Sequence, residues 1–111
     1  MSVIICLVTC PSQEVAGSLA KGIVDRQLAA CVNILPGVQS IYRWQGSVCV
    51  EQECLMIIKS TSERQDDLKR AILEEHPYEV PEFIALDTLE VSGPYAQWIM
   101  DSVGHKGIPG C

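Results

Sequence analysis

Two extended runs meet at Gln45-Gly46, and their length constrains the fold more than any other feature of the chain. VQSIYRW leads into this pair and SVCVEQECLMIIKS leaves it. Apolar, aromatic and β-branched runs on either side of a short Gly-containing turn make a β-hairpin. Near the turn Val48 and Val50 alternate with Cys49 and Glu51, whereas LMII farther along is apolar on both faces. The far part therefore belongs to a core and the tip is more polar. The return strand, about 13 residues from Ser47 to Lys59, spans roughly 43 Å at about 3.3 Å per residue. The first helix, of about 17 residues, reaches only about 26 Å. The hairpin thus overshoots its helical layer, carrying Tyr42, Trp44, Val48 and Val50 with open strand edges beside them. Pairing with other copies of the chain covers such a tip, so an oligomer held partly by strand-to-strand pairing is expected. A hairpin that curls and covers itself is the alternative.

The remaining elements follow from periodicity and punctuation. VIICLV, residues 3–8, reads as a buried central strand. Ser12 is a candidate N-cap with Glu14 in the first turn, and Val15, Leu19 and Ile23 recur at helical spacing until near Leu28. LAACVNILPG begins a second strand, with a kink or bulge at Pro36-Gly37. Ser62 and Gln65 form a capping-box pattern for a second helix carrying Leu68, Ala71 and Ile72, which must end by His76 because Pro77 follows. After Pro81, EFIALDTLEV supplies the last main strand. Ser92-Gly93-Pro94 opens a third helix with Tyr95, Trp98, Ile99 and Val103 on its face, Gly104 is a stop, and HKGIPGC reads as irregular. The order β-α-β-β-α-β plus a C-terminal helix predicts an α+β, ferredoxin-like fold, with an antiparallel sheet and two helices on one face. At 111 residues and 48% hydrophobic content, one domain over residues 1–111 is expected.

The formal net charge of −6 argues against nucleic-acid binding, which needs clustered Lys and Arg. The apolar run at the N-terminus ends at Val8, short of a secretory or membrane-spanning segment, so a cytoplasmic chain with no membrane contact is expected unless a leader has been removed. Six cysteines, at 6, 10, 31, 49, 54 and 111, contain no CxxC and have largely apolar neighbours, which suits buried thiols. Cys6 and Cys10 share one strand face, Cys49 and Cys54 point to opposite faces, and Cys111 is expected to be exposed. Soft-metal binding by the Cys6/Cys10 pair competes with simple core packing.

EEHPYEVPE, residues 74–82, concentrates the candidate chemistry. His76 and Glu75 stand at a helix C-terminus, where exposed carbonyls favour a cation. One imidazole with flexible glutamates binds Cu(II) or Zn(II), though high affinity needs more ligands; a structural helix-end role is the other reading. In a trimer, Tyr78, Glu79 and Glu82 are placed to line a small-ligand cleft between subunits, with Lys59 and Tyr42 or Trp44 nearby and Lys59 as a partner for Glu82. No nucleophile-elbow, P-loop, dinucleotide or HExxH pattern is present, so neither catalysis nor an obligatory cofactor is expected.

LAACVNILPGVQSIYRWQG, ECLMIIKS, HPYEVPE and the later Tyr95 and Trp98 resemble the CutA family of divalent-cation tolerance proteins, in order and spacing, over nearly the whole chain. The resemblance implies a ferredoxin-like subunit in a tight homotrimer joined by intersubunit β-strands, and a link to copper and other divalent cations. It also implies kinship with trimeric PII signalling proteins, hence an alternative role as a sensor of a small metabolite or anion in the intersubunit cleft. Copper ligation in the family is associated with a first-strand cysteine and a His-His pair. The matching positions here hold Val8, Glu75 and His76, so only His76 is retained.

Overall fold

The structure is a computed structural model and describes residues 2–104. The expectations for HKGIPGC, Cys111 included, lie outside the described residues. The elements are β1 (Val3–Cys10), α1 (Gln13–Asp25), β2 (Cys31–Trp44), β3 (Ser47–Thr61), a 3₁₀ turn (Ser62–Arg64), α2 (Gln65–Glu75), β4 (Ile84–Asp87) and α3 (Gly93–Ser102). All strand pairs are antiparallel and the sheet order is β2-β3-β1-β4, the expected ferredoxin-like topology.

Alternation along the strands divides the sheet into two faces. Cys6, Val8 and Cys10 of β1 and Cys54, Met56 and Ile58 of β3 pack against Leu19 and Ile23 of α1 and Leu68 and Ile72 of α2, forming the main core. Burying each large side chain there contributes about 1.5–3 kcal/mol. Among the described residues the opposite face is covered only at one end, where Ile99 and Val103 close over Val3 and Ala30 in a second cluster. Elsewhere on it Ile5, Leu7, Leu55 and Ile57 are half-buried and Ile84 and Leu86 are exposed. VIICLV is therefore buried on one face and half-covered on the other, rather than enclosed on both.

The hairpin is as long as its sequence requires, from Cys31↔Lys59 in the body to Trp44↔Ser47 at the tip. Gln45 (φ 50°) and Gly46 (φ 83°) are both left-handed, which is the turn that matches the strand twist. Between Leu35 and Val38 the register shifts, so the Pro36-Gly37 pair is a bulge, with Gly37 at φ 72°.

Three boundaries and one helix face differ from the sequence reading. α1 stops at Asp25, because Gln27 turns left-handed at φ 59°; Ser12 caps its start as expected, accepting from the Val15 N–H at 3.2 Å. Ser62 does not cap α2. It lies in the 3₁₀ turn, and its hydroxyl accepts from the Ser2 N–H at 3.0 Å, so the strand terminus takes the capping oxygen. β4 is only four residues, since it has a partner solely along β1 from Ile4 to Leu7. On α3, Ile99 and Val103 are buried, but Tyr95 and Trp98 are exposed and stack on each other at 5.6 Å.

Candidate functional site

α2 ends where Pro77 forbids its continuation, and His76 takes extended geometry (φ −74°, ψ 138°) while its N–H still reaches the Ile72 carbonyl at 2.9 Å. The chain then crosses the end of β1. There the His76 Nε2–H donates to the Thr9 carbonyl at 2.7 Å, and Nδ1 accepts the Tyr78 N–H at 3.1 Å. A carbonyl can only accept and an amide can only donate, so the neutral tautomer with its proton on Nε2 is fixed. His76 is 7% exposed. Glu75 points elsewhere and pairs with Arg26 at 2.7 Å on the surface. The structure does not bring Glu75 and His76 together, and among the described residues no group of three or more His, Cys, Asp or Glu side chains is placed to hold a metal ion. Val8 is fully buried in the main core.

Beyond His76 the turn delivers Tyr78 to the other sheet face, where a cleft of about 620 Å³ opens between the hairpin and residues 78–82. Tyr42, Tyr78, Glu79 and Glu82 all line it, so four of the expected cleft residues come together. Lys59 does not. It lies six residues along β3 from Glu53, beside Cys31 in the register, and its ammonium donates to Asn33, leaving the expected Lys59–Glu82 pair unformed in the single chain.

Two cleft residues were missed as site residues, Glu51 and Glu53. The triplet Glu51-Gln52-Glu53 carried the signal, since carboxylates two apart on a strand share a face. The Tyr78 hydroxyl donates to Glu53 at 2.6 Å, and the Tyr42 hydroxyl donates to Glu51. Glu53 is only 8% exposed. The carboxylates reshape their neighbours' acidity. The hydrogen bond to Glu51 pushes the Tyr42 phenol up to about 12, and burial, then the bond to Glu53, raises Tyr78 as well. Glu82 is raised above the usual carboxylate range by burial and by the Glu53 charge. No Lys, Arg or His lines the cleft among the described residues. It is an aromatic-walled pocket of uncompensated negative charge, suited to a cation.

The comparisons with known proteins agree on one assignment. The family model described as CutA1 divalent ion tolerance protein matches residues 4–102. The chain belongs to the CutA1 family. The divalent-cation tolerance protein CutA of Thermus thermophilus is 46% identical over 100 residues, which is 90% of this chain and 97% of that protein. Mouse Protein CutA is 40% identical over 109 residues, and this chain spans only 62% of its length. Among solved structures, the Thermus thermophilus protein superposes with a TM-score of 0.89 at 45% identity, covering 92% of this chain and 99% of that one. CutA1 from Oryza sativa gives a TM-score of 0.91 at 38% identity, covering 94% and 95%. A CutA from Archaeoglobus fulgidus described as periplasmic gives 0.89 at 30% identity, covering 92% and 99%. Among the described residues no helix is long and apolar enough to cross a membrane.

Proposed function

We propose that this CutA1-family chain works as a homotrimer that binds divalent cations, Cu(II) among them, in its carboxylate cleft and catalyses no reaction. One observation carries the reading: Glu51, Glu53, Glu79 and Glu82 all line one cleft that has no basic residue in its lining, an acidic surface that attracts cations without presenting a preformed ligand cage. Carboxylate and phenolic oxygens suit divalent ions, and Cu(II) is the first-row ion that such sites hold most tightly. His76, with both ring nitrogens engaged, is better placed to hold the cleft wall in position than to bind the ion. The family's description as ion tolerance proteins points the same way. A cytoplasmic setting is supported by the free thiols of Cys6, Cys10 and Cys54 in the core.

The trimer is supported by the hairpin. Ile41, Val48 and Val50 are 65%, 63% and 58% exposed, and β2 is an edge strand over its whole length. Strand pairing with neighbouring copies would cover both. The sensor reading uses the same cleft, whose acid lining favours a cationic or neutral metabolite over an anion.

Calorimetric titration of the intact protein with CuCl2 tests the proposal. The parent is expected to bind stoichiometrically, and the Glu53→Gln/Glu82→Gln chain at least ~10-fold more weakly. Equal affinity in the two would remove the cleft as the site.

A further inference from the structure

The cleft beside Tyr78 is far larger than an ion. Its volume of about 620 Å³ is of the size that holds small organic molecules. A water molecule takes up only about 30 Å³, so a metal ion with its first waters leaves most of that space unfilled. The acids of the lining come from two elements: β3 supplies Glu51 and Glu53, and the segment after Tyr78 supplies Glu79 and Glu82. Glu53 is the most buried of them, at 8% exposure. Among the described residues it has one hydrogen bond, from the Tyr78 hydroxyl, and no salt bridge. A phenol donates a hydrogen bond but no charge, so a carboxylate more than nine-tenths buried is left without a balancing cation, which is a costly state. The rest of the wall is of another kind. Tyr42, Trp44 and Tyr78 bring rings, and Ile41 and Val80 bring aliphatic surface.

We propose that this cleft binds an aliphatic polyamine, a methylene chain carrying two or three ammonium groups. The inference rests on the reading of the cleft as a cation site and names an organic class of cation for it. An ammonium needs no coordination polyhedron: each of its N–H groups donates to whichever carboxylate or phenol oxygen is in reach. The absence of a preformed metal cage among the described residues is therefore no obstacle to it. Acids standing on two separate elements suit charges spaced along one molecule, whereas a compact ion would have to draw them together. The methylene stem gains from the Ile41 and Val80 surface, and the ammonium groups gain from the faces of the aromatic rings. A positive group beside Glu53 also relieves the repulsion that, after burial, raises the Glu82 carboxyl. Anions are disfavoured by the same lining, which holds no Lys, Arg or His among the described residues.

Titration calorimetry of the intact protein tests this, in about 150 mM NaCl to screen the exposed surface charge. Spermidine is the probe, and hexaamminecobalt(III), an equal charge with no hydrocarbon, is its control. One spermidine per cleft is expected, held at least ~10-fold more tightly than hexaamminecobalt(III). Trp44→Leu should weaken spermidine ~3- to 10-fold and leave Cu(II) binding unchanged. Glu53→Gln should weaken both cations, and Glu14→Gln, which removes an exposed carboxylate outside the cleft, should change neither. The preference of the parent over hexaamminecobalt(III) needs no variant, so it decides if Trp44→Leu fails to fold. Equal affinity for the two trivalent cations, no spermidine binding, undiminished binding in Trp44→Leu, or loss in Glu14→Gln would each overturn the polyamine. Cu(II) held without spermidine would leave the cation cleft standing and remove the polyamine alone, whereas neither held would remove both.

Discussion

Pro77 decides what His76 does. By closing off helical geometry it sends the backbone across the end of β1, where the ring meets an acceptor in Thr9 and a donor in Tyr78. The sequence makes the imidazole visible and even marks the helix end, but the Thr9 partner lies 67 residues away. Inward rotation therefore depends on tertiary contacts that no local pattern encodes. The same holds for Glu75, whose partner Arg26 comes from the other helix of the layer. Glu82 offers the test at this scale. Its carboxyl titrates above its ordinary value of 4.5, because burial and the Glu53 charge both oppose ionisation. The native state then binds the Glu82 proton more tightly than the unfolded chain does. That contribution to stability is complete below the unfolded value and is lost as pH rises through the native one. Glu82→Gln should accordingly raise Tm at pH 7 and leave it nearly unchanged at ~pH 3.5. Scanning calorimetry at the two pH values checks this, and equal shifts at both would contradict it.

Elements were legible where the signal was local. The Gln45-Gly46 turn, the Pro36-Gly37 bulge and the Ser12 cap each need only a few consecutive residues, and all three stand where the sequence puts them. Ser62 failed as a cap because a residue 60 positions earlier claimed its hydroxyl, and β4 fell short because the length of a strand is set by its partner. Gln45 carries a side chain at φ 50°, a conformation that Asn tolerates far better. Gln45→Asn should stabilise the chain by ~0.5 kcal/mol and Gly46→Ala should destabilise it by ~1 kcal/mol. Urea unfolding measures both. A stabilised Gly46→Ala chain would mean that the turn is not the left-handed pair described above.

At the scale of the molecule, the principal extents of 45 × 27 × 22 Å record how far the hairpin outruns the helices. The length comparison between strand and helix anticipated this shape, since rise per residue is fixed by geometry. The bare half of the second sheet face was less legible, because Ile5, Leu7, Leu55 and Ile57 look the same in sequence whether covered by a helix or by another chain. Ile41 and Val50 are paired directly across the hairpin tip. Ile41→Lys with Val50→Lys should convert a trimer to monomers, with the circular dichroism spectrum retained; light scattering after size exclusion reads the mass, and an unchanged trimer would move the interface elsewhere. The position of β3 between β2 and β1 also sets an order of events during folding. β3 meets β2 across a two-residue turn, so the pair can zip in ~1–10 μs, whereas β1 arrives from the far side of α1 and must close a long loop first. Until it does, the LMII segment offers a naked strand edge to any other molecule. Docking of the first strand is therefore the step before which this chain is most open to pairing with another molecule.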